Sequence, residues 1–81
     1  MARYYFNIRH GNTVLDDPDG TELPSLDHAL VEAEDGLREL VSSALLARTL
    51  APDAVEIVSE DGSLLSQVTL RDTLGDLTRR S

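Results

Sequence analysis

Hydrophobic and polar positions alternate from Arg3 to Arg9: Tyr4, Phe6 and Ile8 fall on one side, and Arg3, Tyr5, Asn7 and Arg9 on the other. A period of two carried by aromatic and β-branched residues predicts a half-buried strand. All three aromatic residues of the chain lie within it, so this strand is expected to anchor the core. His10-Gly11-Asn12 reads as a turn and Thr13–Leu15 as a short return strand. Asp16-Asp17-Pro18-Asp19-Gly20 cannot continue that strand. Pro18 lacks a backbone donor, and Asp19-Gly20 favours a tight turn with positive φ at the glycine.

The period then changes. Ser25 is a good N-cap, with Asp27 placed in a first turn that favours negative charge. Apolar residues recur at Leu26, Ala29, Leu30, Ala33, Leu37, Leu40, Val41, Ala44 and Leu45, which is one helical stripe. Glu34 and Arg38 are spaced to pair on the solvent side. Gly36 weakens a helix by about 1 kcal/mol relative to alanine. It marks either a close approach to the sheet or a tolerated weak spot. Pro52 sets the end of the helix near Leu50. A helix of about 25 residues is about 37 Å long, whereas a seven-residue strand is about 23 Å. The helix therefore overhangs the sheet, and its last turns, with Leu45, Leu46, Ala47 and Leu50, are apolar most of the way round. Ala54–Ser59 predicts a third strand with Val55 and Ile57 on one face. The Asp61-Gly62 pair suits a primed hairpin turn. Leu64–Leu70 predicts the fourth strand, with Val68 and Leu70 inward and a bulge at Leu64-Leu65. Arg71–Leu74 reads as one terminal turn. The order is ββαββ: an α+β fold with a four-stranded, mostly antiparallel sheet and one long helix on one face. Residues 3–75 form the single expected domain, and residues 76–81 a frayed tail.

At 81 residues the chain has room for one small core, and a domain of this size is marginal alone. It has no cysteine, so neither disulfides nor thiolate metal sites can help, which leaves good packing or a partner subunit. The net charge of −8 and seven scattered arginines, with no lysine, argue against nucleic-acid binding. No apolar run approaches a membrane span, and the alternating N-terminus is unlike a signal peptide. A cytoplasmic protein is the expectation, in keeping with the lack of cysteine.

The segments RYYFNIRHG, DPDGTELPSLDHA and VEIVSEDGSLLSQVTL together resemble a family of small bacterial proteins classed as a domain of unknown function. The resemblance covers roughly residues 3–75. The family typically opens with an aromatic strand ending in Arg and Gly. An Asp-rich loop then runs into Gly-Thr-Glu-Leu-Pro-Asp, followed by an Ala-rich helix and a hairpin with a Gly turn. This chain has Ser25 where the family usually has Asp (both are N-caps) and His10 where an acidic residue is common. The resemblance implies a fold and brings no activity with it. Leu26-Asp27-His28-Ala29-Leu30 also echoes the helix start of HicB-like antitoxins, over about twenty residues that any capped amphipathic helix resembles.

Candidate chemistry is sparse. Asp16, Asp17, Asp19 and Glu22 offer oxygen ligands for a hard cation such as Ca²⁺ or Mg²⁺. With Gly20 in the glycine position of an EF-hand loop, however, the first and last ligand positions fall on Leu15 and Leu26. A solvated turn that complements the helix dipole is the simpler reading. His10 and His28 have no metal-ligand spacing. Neither Cys nor Lys is present as a nucleophile, no glycine-rich phosphate loop exists, and a Ser-His-Asp site needs a pocket such a chain hardly encloses. The expectation is a protein without catalytic residues or cofactor. Tyr5 and Arg9, on the sheet face away from the helix, are of residue types enriched in interface hot spots. With Leu45, Leu46 and Leu50 they are the candidate contacts of a homo-oligomeric interaction module. The alternatives are an antitoxin-like or regulatory partner of a basic protein, and a cation or small-ligand binder using the acidic loop.

Overall fold

The computed structural model describes residues 1–72. Strand β1 (Ala2–His10) turns at Gly11-Asn12 into β2 (Thr13–Leu15). A loop leads to β3 (Thr21–Leu23), helix α1 (Leu26–Ala47) follows, and β4 (Ala54–Val58) and β5 (Leu64–Thr69) close the fold. All strand pairs are antiparallel, in the order β2-β1-β4-β5, with β3 pairing β1 as a fifth strand. The ββαββ core is therefore as expected, with β3 added. A three-residue strand is too short to show a period. Its partner is supplied by the far end of β1, through the pairs Ala2–Leu23, Arg3–Glu22 and Tyr4–Thr21.

Tyr4, Ala29, Ala33, Leu37, Val41, Val55, Ile57 and Val68 form the core, with Leu37 and Ile57 fully enclosed. Alanines at 29, 33 and 44 let α1 lie close to the sheet. The helix packs over β4 and β5 rather than centrally over β1. A helix about 10 Å across covers roughly two strands spaced about 4.8 Å apart. Phe6 and Ile8, which share the inner face with Tyr4, consequently stay half-buried. The buried line runs 29-33-37-41-44, narrower than the expected stripe. Leu40 and Leu45 flank it and are exposed.

Several local details differ from expectation. The helix ends at Ala47, not near Leu50, because Arg48 turns into the left-handed region at φ 57°. The Arg48 and Thr49 N–H groups then bond back to the carbonyls of Leu45 and Ala44, a Schellman closure. Arg38 pairs with Asp35 at 3.1 Å rather than with Glu34, whose side chain is half-buried on the flank of the helix. The β4–β5 loop is not a primed turn. Only Gly62 has positive φ, and Ser59 pairs with Ser63 across three loop residues, the type I turn with a glycine bulge. Hydrogen bonds from the Ser59 hydroxyl and the Ser63 N–H hold the Asp61 carboxyl down at about 2. The bulge falls at Leu65, between the pairs Ile57–Ser66 and Val58–Leu64, within the expected Leu64-Leu65 step. Strand β5 ends at Thr69, where Thr69 and Asp72 cap each other reciprocally and start a helical turn at Leu70. Leu70 still packs against the core. The expected tail at 76–81 lies outside the described residues.

Gly20 has φ +69°, and a Cβ there would lie 2.9 Å from Arg3 Cγ, 2.9 Å from Tyr5 Cε2 and 3.0 Å from the Tyr4 carbonyl. Here a side chain is excluded both by backbone conformation and by the close approach of β1. Gly20→Ala is expected to lower stability by about 1–3 kcal/mol in urea unfolding. An unchanged midpoint would show that the loop does not clasp β1.

Candidate functional site

The acidic loop is built around Asp17. Strand β1 is covered by β3 at Ala2–Tyr4 and by β2 at Ile8–His10, which leaves Tyr5–Asn7 without a strand partner on that edge. Backbone groups alternate sides along a strand, so the Phe6 N–H faces the same edge as those of Tyr4 and Ile8. Asp17 fills the gap. Its Oδ2 accepts from Phe6 N at 3.2 Å, its Oδ1 accepts from Asp19 N at 3.2 Å and Gly20 N at 3.1 Å, and its own N–H donates to Asn7 Oδ1 at 3.0 Å. Partial burial pushes the Asp17 carboxyl up. The N–H groups of Gly20, Phe6 and Asp19 together outweigh that, leaving it below the ordinary 3.8.

The other loop carboxylates are placed separately. Glu22 pairs with Arg3 at 2.9 Å, and the same guanidinium donates to the Asp19 carbonyl at 2.8 Å. The Asp16 and Asp19 side chains are exposed. Among the described residues, no three acidic or imidazole groups converge in a way that could hold a metal ion. His10 is exposed at the end of β1, and His28 Nδ1 lies 2.8 Å from the N-cap hydroxyl of Ser25.

Tyr5 and Arg9 lie on the outer sheet face, and both are engaged within the chain. The Tyr5 ring edge is covered by Gly20. Arg9 donates through Nε and Nη2 to one oxygen of Glu56, which is 14% exposed. Leu45, Leu46 and Leu50 stand at the opposite extreme, 74, 88 and 89% exposed around the C-terminal end of α1.

The sheet and helix also enclose a cleft that no local sequence pattern marks. Between α1 and the uncovered part of β1 lies a cleft of about 150 Å³, lined by Phe6, Ile8, Val55, Ala33, Gly36 and Leu40, with Thr21 and Glu32 also facing it. Gly36 is the residue that signalled it, as an unusual weak point in a long helix. A Cβ on Gly36 would meet nothing within 4 Å, so close packing is not the reason for the glycine.

Asp17→Asn keeps the shape of the loop but loses the charge and turns an amide toward N–H donors. Stability is expected to fall by about 1–2 kcal/mol at neutral pH. Because the carboxyl is lowered in the fold, its contribution is present above its unfolded value. It is lost as pH falls below about 3.8 through the folded value. Urea titrations of both proteins should therefore converge on acidification. A gap that stays constant with pH would mean the charge is not what binds the loop.

No helix among the described residues is long and apolar enough to cross a membrane. No curated protein and no solved structure matches the chain. A family model does match, over residues 3–71: the chain belongs to the domain-of-unknown-function family DUF6894.

Proposed function

We propose that this protein is a small, non-enzymatic interaction module of the cytoplasm, without a cofactor, that assembles with itself as a homodimer through the C-terminal end of α1. The observation that carries this reading is the exposure of Leu45, Leu46 and Leu50 within one short stretch. Burying a leucine stabilises by about 1.5–3 kcal/mol. Six leucines across a two-fold interface could thus offset an association cost of about 4–15 kcal/mol. A closed, isologous contact also prevents runaway assembly by such a patch. The bound state of Asp17, Glu22, Arg9 and Glu56 supports a structural role for these charged groups rather than a chemical one. The acidic composition supports a second reading, regulation of a basic partner protein.

Two copies each carrying −8 repel, so self-association should strengthen as salt rises. In sedimentation velocity the wild type is expected to dimerise at micromolar concentration. The triple variant Leu45→Ser, Leu46→Ser, Leu50→Ser should be a folded monomer. A monomeric wild type, or a triple variant that still dimerises, would overturn the assignment of this surface.

A further inference from the structure

We propose that the cleft beside Gly36 receives one bulky apolar side chain from a positively charged, helical partner segment. This rests on the reading of the chain as an interaction module, but not on its self-association, and it uses a different surface.

Gly36 is the unusual residue of the cleft wall. At the middle of a 22-residue helix, it costs about 1 kcal/mol relative to alanine. A Cβ would fit there without contact. The absence of a side chain therefore leaves the wall between Ala33 and Leu40 open rather than allowing the sheet to approach.

Size and lining come next. Phe6, Ile8 and Val55 form an apolar floor, and Ala33, Gly36 and Leu40 the helix wall. An apolar space of about 150 Å³ holds one benzene-sized group, which here means one aromatic or branched aliphatic side chain. Leu15, paired with Ile8 on β2 and 55% exposed, extends the apolar floor outward.

Charge selects the occupant. Glu32 faces the cleft; Glu39, seven residues on, lies nearly in line with it about 10 Å along the helix axis, where it borders the neighbouring hollow with Arg38. Among the described residues, three arginines are engaged by other carboxylates: Arg3 by Glu22, Arg9 by Glu56 and Arg38 by Asp35. A second copy at −8 is repelled from such a rim, and a cationic segment is attracted. The spacing of Glu32 and Glu39 exceeds the length of a small amine. It matches cations one turn to either side of a central anchor on an amphipathic helix.

The test uses ¹⁵N-labelled full-length protein titrated at low salt with a capped, alanine-rich helical peptide carrying a central phenylalanine and an arginine one turn to either side. Saturable shifts are expected at the amides of Phe6, Ile8, Gly36 and Leu40. Replacing the peptide's phenylalanine by alanine, or its arginines by glutamates, should weaken binding about tenfold or more. Gly36→Leu fills the cleft and should abolish those shifts without lowering Tm. Gly36→Ala should raise Tm while weakening the peptide, and Glu32→Gln with Glu39→Gln should flatten the salt dependence. The leucine-to-serine triple variant should bind the peptide as the wild type does, which separates this proposal from the dimer. Absence of saturable shifts at millimolar peptide would overturn it. So would equal binding of the alanine peptide, or loss of binding in the triple variant.

Discussion

The fold depends on a carboxylate that completes a sheet edge. Strand β1 is the centre of the molecule, yet on one side it is paired only at its two ends. Without Asp17, the Phe6 N–H would sit between β2 and β3 with no strand opposite, and an unpaired backbone donor in a half-buried sheet is costly. Asp17 supplies that acceptor, and with the same side chain binds Asp19 N and Gly20 N, folding its own loop. Gly20 then lies flat against Tyr5 and Arg3, and the chain is aimed back along β1 as β3. The direction in which α1 starts follows from that. The acidic loop is thus first a structural clasp, and its composition reflects backbone acceptors as much as solvation.

The exposed surfaces follow from a simple mismatch. A single helix cannot cover a sheet four strands wide, and α1 sits over β4 and β5. What it leaves open is the inner face of β1 and β2, where the cleft lies. Past Ala44, the last buried residue of α1, Leu45 and Leu46 lie off the buried line and Leu50 follows the helix end, so all three leucines are exposed. Two exposed apolar regions among the described residues of an acidic chain are the physical basis for reading it as a protein that works by contact. Their electrostatics differ. The leucine end can accept a like-charged copy once salt screens the repulsion, whereas the rim of the cleft favours a cation.

Much of this architecture was legible in the sequence, because period and punctuation agreed. The alternation at Arg3–Arg9, the return at Thr13–Leu15, the cap at Ser25 and the bulge at Leu64-Leu65 are local signals, and each element forms where they place it. What was not legible depends on partners distant in the chain. Strand β3 exists only because Ala2–Tyr4 lies beside it, and Asp17 looked like a solvated turn residue until Phe6 was placed opposite. Arg48 in the left-handed region has no compositional signature, since glycine is the usual residue there. The apolar stretch that carries the exposed leucines was visible in the sequence. The cleft was not, because the lateral position of α1 over the sheet is set by side-chain packing that no periodicity records.

One carboxylate closes the open edge of β1. Native-state hydrogen exchange of the Phe6 amide in the wild-type protein tests it most directly. Phe6 is expected to exchange as slowly as Ile8, its ladder-bonded neighbour on the same edge, and to lose protection together with Gly20 when Asp17 is protonated. Exchange of Phe6 at the rate of an exposed edge amide, with Gly20 unaffected by acid, would contradict it.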